Sequence, residues 1–511
     1  MNFIGLVLLF CLPGQVNAHD AFFAGPIPEL RFVIAPAEEA SLRREPRKYV
    51  RAQFIENQGK GVEVGIKIKG AAGSTRPYDD KPALTINMDR YHREQSFHGM
   101  DKFHLNNSVQ DETYLHEKIG FALSNAAKVP ASRVTHARVR INNRDLGLFV
   151  FKEGFDTTFL KNYYPDNKGN LYDGGFLQDI DANLQLDIGP GPEDQRDLKA
   201  LLAACREGDL VKRKIAVEKV LNVDEMISFM AVELMSGHWD GYARNRNNYR
   251  IYFDPRSQKA IFLPHGMDQL FADFSAMEVP GAIVAAAVMS DPQSRRLYRR
   301  RVEALLPLFE PKAMELVIDP VLKRLKPVVD SLGKDFANRH AQAVNGLRER
   351  IKGRYLALVE SVKRRDPGPI VFGPEGFEPI RDWLPQPEQG QPKYVETDQG
   401  GRKILSMTAP ANAPTVASWR SQATLAKGNY RLEVRMKTEG IVAQMDLKGA
   451  GADLRISGEK VRPGLAGNTD WTVRTMDFEV KEAAKDVILV CEMRCKGGTL
   501  HMDPEARIVR K

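Results

Sequence analysis

The sequence predicts an α+β chain that ends in an all-β domain, and three observations lead to this prediction. Apolar residues alternate with charged ones from Val62 to Lys69, which is typical of a half-buried strand. A long stretch, residues 290–364, is dense in Arg, Lys, Leu and Val and has a helical pattern. After the Pro- and Gly-containing break at 365–369, short alternating strands replace that pattern. We therefore expect a mixed domain followed by a β-sandwich.

The composition is that of an ordinary soluble globular protein, since 43% of the 511 residues are hydrophobic and 27% are charged. The net charge of +8 is small for this length and the charges are interspersed, which argues against a nucleic-acid interface. The apolar run from Phe3 to Leu12, with small residues before His19, is typical of a secretory signal peptide at 1–18. No later run approaches the ~20 apolar residues of a membrane span. We expect a secreted, periplasmic or extracellular chain without a membrane span.

The mixed domain is predicted to begin with two strands, a helix and a hairpin. The strands are expected at 62–69 and 81–88, and an amphipathic helix is expected at 111–127. Alternating residues on both sides of an Asn-Asn-Arg-Asp turn predict a hairpin at 137–150. These elements form a small antiparallel lobe with one helix. Further helices are expected at 194–205, 211–221 and 223–236.

Three features of this lobe each have two interpretations. The small residues from Gly70 to Ser74 form a plain hairpin turn, or they let backbone amides approach a phosphate. Lys81 is a surface lysine or a cation that reaches nucleotide phosphates. Glu117 lies off the apolar face of its helix, so it faces solvent or reaches across a cleft to the lysine.

The stretch from Gly237 to Phe271 has the residue order of a phosphoryl-transfer site. Asp240 and Asn245 lie on a loop, and the strand pair that follows ends at Asp268. Protein kinases use this order: one carboxylate orients the attacking hydroxyl, while an Asn and a second Asp hold magnesium on the nucleotide phosphates. The spacing matters because base and metal ligand must reach the same phosphoryl group from one loop. The spacing alone is a weak signal, so the surrounding residues decide its meaning.

The surrounding residues resemble the CotH kinase family, an atypical branch of the protein-kinase fold. The matching segments lie in order within residues 31–271, and they are 68–74, 80–84, 102–107, 115–118, 146–153, 169–172 and 237–271. The resemblance implies a bilobal kinase-like domain. The expected organisation is a kinase-like domain at 19–366 (small lobe about 27–152, helical large lobe about 153–366), a linker at 367–392 and a jelly-roll-like β-sandwich at 393–511.

The resemblance also implies an extracytoplasmic protein kinase that uses ATP and Mg or Mn to modify a secreted or surface protein. Asp240 resembles the catalytic aspartate, and Lys81 resembles the phosphate-contacting lysine with Glu117 as its helix partner. Glu153 falls at the hinge between the lobes. The implied nucleotide contacts are Gly70, Gly73, Ser74, Lys81 and Glu153. The implied metal ligands are Asp268 and either Asn245 or Asn248, with Asn245 preferred for its spacing.

One position departs from the family pattern. The family often shows Pro-Trp-Asp-x-Asp after the strand pair, but residues 264–268 are Pro-His-Gly-Met-Asp, so Gly266 replaces a carboxylate. If that carboxylate is a metal ligand, one ligand is lost. The alternative hypothesis is a catalytically silent pseudokinase that serves as a structural or surface-adhesion module. A third is another transfer reaction, such as nucleotidyl transfer.

Three smaller questions stay open in the sequence. Cys491 and Cys495 either form a disulfide across a tight turn or are kept apart by strand geometry. The acidic stretch 170–187 suggests a calcium site, although its spacing is not that of an EF-hand loop. A carbohydrate contact by the β-sandwich is a further hypothesis, but its large aromatic residues are expected mainly in the core. These residues are Trp419, Tyr430 and Trp471.

Overall fold

The computed structural model describes residues 18–191, 193–271, 281–363, 370, 372, 375–380, 383–399, 402–444 and 448–511. Residues 1–17 of the predicted signal peptide lie outside the described residues, as do 367–369, 371, 373, 374, 381 and 382 of the predicted linker. The described residues separate into two compact units. One unit holds residues up to 207 and 213–363, and the other holds 208–212 and those from 370 onward.

Seven strands of the first unit close into a barrel with the order β1-β2-β3-β4-β5-β7-β6, in which β6 lies parallel to β1. The strands are β1 (Glu29–Val33), β2 (Val50–Glu56), β3 (Val62–Lys69), β4 (Ala83–Asn87), β5 (Lys102–Asn106), β6 (Val134–Ile141) and β7 (Arg144–Glu153). Alternating apolar side chains fill the interior, among them Phe32, Phe103 and Phe151. Two short helices precede and follow β1, namely α1 (Ala18–Ala24) and α2 (Pro36–Arg44).

A single helix, α3 (His116–Ala126), packs between the outside of the barrel and the helices that follow. The Asp111 carboxylate accepts a hydrogen bond from the backbone N–H of His116 (3.0 Å), which satisfies a donor at the start of the helix. Ile119 and Leu123 lie on its buried face, as the sequence predicts. One face of α3 therefore packs against the barrel and another against the helices that follow.

The rest of the first unit is mainly helical. Its helices are α4 (Thr157–Tyr163), α5 (Arg196–Cys205), α6 (Leu210–Val220), α7 (Val223–Met235), α8 (Tyr242–Asn245), α9 (Ile283–Ser290), α10 (Pro292–Leu305), α11 (Pro311–Ser331) and α12 (Lys334–Lys363). A four-stranded sheet has the order β11-β10-β8-β9, formed by β8 (Asn170–Asp173), β9 (Gln185–Ile188), β10 (Tyr249–Asp254) and β11 (Lys259–Pro264). The strand pair predicted before Asp268 is β10 and β11, which is confirmed.

The second unit is built from strands. They are β12 (Phe377–Ile380), β13 (Leu384–Gln389), β14 (Lys393–Gln399), β15 (Arg402–Ala409), β16 (Thr415–Ile441), β17 (Gly451–Ile456), β18 (Gly467–Cys495), β19 (Gly498–Met502) and β20 (Ala506–Arg510). The long strands β16 and β18 pair antiparallel, with irregularities at Ala426/Gly428 and Met436/Thr438. A mixed chain that ends in β-sandwich-like sheets is therefore confirmed. Trp419 and Tyr430 are core residues, as expected, whereas Trp471 is only half-buried.

The fold answers the open question about Cys491 and Cys495. Cys491 and Cys495 are both free thiols on β18. Four residues of extended strand separate their Cα atoms by roughly 13 Å, which is too far for a disulfide.

In the part of the chain that the structure describes, none of the helices has the length and apolar character needed to cross a membrane.

Candidate active site

A row of polar side chains crosses the outer face of the barrel. Lys67 of β3 pairs with Thr85 of β4, Thr85 pairs with His104 of β5, and His104 pairs with Lys152 of β7. Directly opposite residues on neighbouring strands point to the same face of a sheet. The four side chains therefore share one face, while the alternating apolar residues fill the barrel. Lys152 stands at the end of this row, beside α3.

Lys152 forms a buried ion pair with Glu117 of α3. Its Nζ donates to Glu117 Oε2 at 2.8 Å, and each side chain is 3% exposed. The Asn106 amide donates to Glu117 Oε1 at 3.2 Å, and Lys69 Nζ donates to Asn106 Oδ1 at 2.6 Å. One connected network, from Lys69 to Lys152, thus holds the carboxylate of Glu117.

The expected pairing of Lys81 with Glu117 is not present, and Lys152 takes its place. Lys81 Nζ donates instead to the hydroxyl of Tyr114 at 2.9 Å, and it lies 4.9 Å from the centroid of the Phe149 ring. Burial lowers the pKa of Lys81 to about 8. The reason is positional: Lys81 lies two residues before β4 begins, outside the row of paired residues that leads to Glu117.

The small-residue loop after β3 lies on the side of Lys81. Gly70 has a φ of +109°, which favours glycine, and Gly73 and Ser74 lie in a single turn of 3-10 helix. The Asn107 amide donates to the backbone oxygens of both Ser74 (3.1 Å) and Lys81 (2.8 Å). The local structure is thus a tight turn that Asn107 ties to Lys81. A phosphate contact by this loop stays a prediction.

Glu153 lies outside the polar row. Its carboxylate accepts hydrogen bonds from the backbone N–H (3.1 Å) and Nε (3.0 Å) of Arg133. Consecutive strand residues point to opposite faces, so Glu153 cannot share the face of Lys152. Its oxygen atoms pair with Arg133 and are not directed toward the network around Glu117.

The Asp240 carboxylate is held by three asparagine amides. Asn245 donates to Oδ1 at 2.6 Å, while Asn247 and Asn248 donate to Oδ2 at 3.0 and 2.8 Å. Both residues considered as metal ligands, Asn245 and Asn248, therefore contact the expected catalytic aspartate. Asn247 has the same role and was missed by the sequence interpretation.

The loop that carries Asp240 is anchored by Glu233 of α7. The buried Glu233 carboxylate accepts the backbone N–H groups of Tyr242 and Ala243, each at 2.9 Å. The backbone N–H of His238 donates to the carbonyl oxygen of Glu233 at 2.9 Å. Burial raises the pKa of Glu233 to about 8. The end of α7 and the start of α8 are thus joined by one acidic side chain.

Asp268 is tied to α3 through its backbone. His116 Nδ1 donates to the carbonyl oxygen of Asp268 at 2.9 Å. Met267 packs so closely against Gly120 of α3 that a Cβ at position 120 would lie 2.8 Å from the methionine sulfur. These two contacts therefore fix the distance between α3 and residues 267–268.

The Asp268 carboxyl group is near enough to the network around Glu117 to be influenced by its charges. Its pKa is raised to about 7, first by burial and then by the negative charge of Glu117. The positive charges of Lys152 and Lys69 act in the opposite direction. Asp268, Glu117 and the two lysines therefore interact with one another inside the unit.

The loops of Asp240 and Asp268 abut. His238 Nε2 donates to the Gly266 carbonyl oxygen at 3.1 Å, and Trp239 Nε1 donates to Gln269 Oε1 at 3.0 Å. Gly266 has a φ of +54°, and a Cβ there would lie 2.2 Å from Asn248 Oδ1. The two carboxylates nevertheless have different neighbours, since Asp240 contacts asparagines and Asp268 is influenced by the charges of the lysines.

The donor atoms around these loops include oxygens that could contribute to a cation site. No cluster of three His, Cys, Asp or Glu suited to a metal occurs among the described residues. Asn248 gives its amide nitrogen to Asp240, which leaves its oxygen beside Gly266. That oxygen and the buried Asp268 carboxylate are donors of the kind that Mg²⁺ accepts, with phosphate oxygens and water as the remaining ligands.

The acidic stretch at 170–187 uses its carboxylates in other ways. Asp173 and Asp187 both lie beside Arg250, at 2.8 and 3.6 Å from its nitrogens. Asp179 accepts the Tyr242 hydroxyl (2.9 Å) and the backbone N–H of Ile283 (2.8 Å). These contacts give the acids structural partners and offer no support for a calcium site.

Several residues of the site were missed in the sequence. They are Lys69, Asn106, Lys152, Glu233 and Asn247. For Lys152 a signal was available, because strand alternation separates it from Glu153 and places it on the polar face.

A family model described as CotH kinase protein matches residues 66–358. The chain belongs to this family. The match covers the barrel from β3 onward, the polar row, α3 and both loops with Asp240 and Asp268. The resemblance stated from the sequence is therefore confirmed.

Named relatives share part of this length. The invasin CotH3 of Rhizopus delemar is 26% identical over 188 residues, which cover 33% of this chain and 31% of the relative. The inner spore coat protein H of Bacillus subtilis is 22% identical over 294 residues, which cover 52% of this chain and 79% of that protein. The chain spans about a third of the length of the first Rhizopus relatives that it matches.

Among solved structures, matches cover about a quarter of the chain. One is TmCBM61 in complex with beta-1,4-galactotriose, with 16% identity, a TM-score of 0.19 and coverage of 26% of this chain and 90% of that one. Another is a family 35 carbohydrate binding module from Clostridium thermocellum, with 14% identity, a TM-score of 0.16 and coverage of 24% and 97%. TM-scores this low carry no argument about the second unit.

Proposed function

We propose that this protein is a secreted protein kinase that transfers a phosphoryl group from ATP to hydroxyl groups of an extracytoplasmic protein. The observation that carries the proposal is the buried ion pair of Lys152 and Glu117, with the Asp268 carboxyl beside it. Kinases use a lysine held by a glutamate to contact nucleotide phosphates. In this proposal Lys152, rather than Lys81, is that lysine, and the barrel and helical parts are the two lobes.

Asp240 orients the acceptor hydroxyl. A carboxylate offers about four lone-pair positions, and three asparagine amides occupy three of them. The remaining position on Oδ1 accepts a hydrogen bond from the attacking hydroxyl. The amides fix the rotation of the carboxylate, so little reorganisation is needed when the hydroxyl binds.

Lys152 and Lys69 neutralise charge on the nucleotide phosphates, and Glu117 holds Lys152 in place. Asp268 and the oxygens of Asn245 or Asn248 would hold Mg or Mn. A bound divalent cation supplies charge stabilisation at the phosphate oxygens. His116 positions Asp268 by its hydrogen bond to the backbone of that residue.

The test uses the purified full-length chain with γ-labelled ATP, MgCl₂ or MnCl₂, and casein as a general acceptor protein. We expect label on casein or on the chain itself. Asp240→Asn and Asp268→Asn should lower the rate on the order of 10²-fold or more. Lys81→Met is the matched control and should keep most of the rate.

The same assay with α-labelled ATP separates phosphoryl transfer from nucleotidyl transfer. Label from the α-position in the protein product would contradict the kinase and indicate nucleotidyl transfer. Absence of label from both positions, together with no thermal shift when ATP and metal are added, would contradict the kinase and support the non-catalytic surface module.

Gly266 is the observation that favours this second candidate, a silent structural or adhesive module. With Asn248 in its present place, a carboxylate side chain has no room at position 266. The site therefore has one oxygen donor fewer than the family pattern. The names of relatives, an invasin and a spore coat protein, fit a surface location for either candidate.

A carbohydrate contact by the second unit stays a proposal of its own. Of the three aromatics named in the sequence, Trp471 is the one left half-buried, but the Arg435 guanidinium lies 5.0 Å from its ring centroid and covers one face. Loss of binding to insoluble polysaccharide in Trp471→Ala, with retention in Val473→Ala on the same strand, would support it. Equal binding of both variants would contradict it.

A further inference from the structure

A cavity of about 380 Å³ lies against a different side of α3 from the candidate active site. Consecutive helix residues are about 100° apart, so Lys118 points away from its neighbour Glu117. The apolar part of the wall includes Phe23 of α1, Phe121 of α3 and Val317 of α11. Its volume is in the lower part of the range of small-molecule sites, about 300–1,000 Å³.

Two cations in this wall have only neutral hydrogen-bond partners among the described residues. Lys118 Nζ donates to the carbonyl oxygen of Val134 at 2.9 Å. Arg324 donates to the carbonyl oxygens of Gly25 (2.9 Å) and Phe23 (3.2 Å) and to Thr135 Oγ1 (2.9 Å). By contrast, the third cation of the wall, Arg133, has the Glu153 carboxylate.

Among the described residues, Lys118 and Arg324 therefore have no carboxylate as a hydrogen-bond partner. Burial, and then the nearby charge of Arg324, lowers the pKa of Lys118 to about 8. A buried charge without a counter-ion is costly, and an anion that enters the cavity would remove part of that cost. The same anion needs an apolar body, because Phe23, Phe121 and Val317 form the rest of the wall.

We propose that this cavity binds a small amphipathic anion, namely an alkyl carboxylate, with its carboxylate at Lys118 and Arg324 and its chain against Phe23, Phe121 and Val317. The ligand class follows from the combination of two cations with a partly open apolar cavity of this size.

The ligand also regulates the candidate active site. Lys118 follows Glu117, which holds Lys152, on α3. The same helix carries His116, which binds the backbone of Asp268, and Gly120, which packs against Met267. A ligand that binds Lys118 favours one position of α3 and so changes the affinity for nucleotide. Couplings of this kind are typically 5–150-fold and are reciprocal. This regulatory step rests on the proposed kinase function, whereas the binding step does not.

Binding is tested by calorimetry and thermal shift with decanoate on the full-length protein, below the concentration at which decanoate forms micelles. Decanol is the uncharged control. We expect decanoate to bind and raise the melting temperature, and decanol to bind at least 10-fold more weakly. Equal binding of the two ligands would overturn the proposal, because the cations would then have no role.

Three variants locate the site. Lys118→Gln should weaken decanoate binding at least 10-fold, and Val317→Trp, which fills the cavity from its partly buried wall, should abolish it. Lys323→Gln removes an exposed lysine of the same helix as Val317 and should change nothing. Undiminished binding by Val317→Trp, with unchanged circular dichroism, would place the ligand elsewhere and contradict the proposal.

Two further measurements separate the sources of the ligand and the two levels of the proposal. Vesicles with and without phosphatidylglycerol distinguish a lipid headgroup from a free acid. Binding to anionic vesicles without binding of decanoate would overturn the assignment. The dissociation constant of ATP is then measured with and without decanoate. Decanoate binding without any ATP binding would contradict the kinase and the regulatory step but leave the cavity assignment standing.

Discussion

Lys152 is buried and Lys81 is half-buried, both near α3, yet of the two only Lys152 has a carboxylate partner. Lys152 donates to Glu117 at 2.8 Å inside a network that also holds Lys69. Lys81 donates to a tyrosine hydroxyl and lies against two aromatic rings. The chemistry of the two side chains is the same, so their environments alone make the difference.

The difference shows that position in the sheet, rather than position in a motif, selects the paired lysine. Lys152 lies in a row of paired residues that crosses four strands and ends at α3. Lys81 lies two residues before β4 and contacts Tyr114 and Phe149. The following four predictions test this contrast, from the largest expected effect to the smallest.

Lys152→Met should lower the free energy of unfolding by about 3–5 kcal/mol, because it leaves the Glu117 carboxylate buried without its counter-ion. Urea denaturation measures this change. The double variant Lys152→Met with Glu117→Gln should recover a large part of the loss, since the orphaned charge is removed. If the single and double variants are equally unstable, the ion pair is not the cause.

Gly266→Asp restores the family carboxylate next to Asn248. We expect a loss of about 1–2 kcal/mol for a non-glycine residue in the left-handed region, and a further loss from contact with Asn248. Adding Asn248→Gly to this variant should recover only the loss of stability that comes from contact with Asn248. An unfolding free energy equal to that of the unmodified protein would show that the loop has another accessible conformation.

The pH dependence of stability tests the environment of His136, which contacts Tyr114, the hydrogen-bond partner of Lys81. His136 is buried, and Nε2 donates to the carbonyl oxygen of Tyr114 at 2.7 Å. Burial lowers its pKa from 6.5 to about 4. The unfolded chain therefore binds this proton at a higher pH than the folded chain, so stability is lost as pH falls.

Between pH 7 and pH 5 this residue should remove about 2 kcal/mol of unfolding free energy. His136→Gln keeps a donor toward Tyr114 and removes the titration. Urea denaturation at both pH values should give a smaller acid-induced loss for the variant, by that amount. Identical pH profiles would show that His136 has the same pKa in the folded and the unfolded chain.

Lys81→Met should change stability by less than about 1 kcal/mol, because methionine keeps the apolar stem and removes a buried charge that has no carboxylate partner. Differential scanning calorimetry against Lys152→Met gives the comparison directly. A loss as large as that of Lys152→Met would mean that Lys81 has an anionic partner in solution, and the contrast between the two lysines would fail.

Local patterns predicted much of the architecture. Alternation predicted β3 with its bounds, the apolar face predicted α3, and the two apolar runs after Asn248 predicted β10 and β11. The general tendency of large aromatic residues to be buried predicted a core position for Trp419, Tyr430 and Trp471, and the structure buries the first two. These features depend on neighbours in sequence, which a pattern of residues describes well.

The partners within the candidate site required the folded chain. Strand register and loop packing bring Glu117 to Lys152, Glu153 to Arg133, and Gly266 to Asn248. Segments tens of residues apart meet there, and a shift of one residue in a strand turns each side chain to the other face. The residue order was therefore enough for the family and its elements, whereas only tertiary contacts chose which lysine stands opposite the acid.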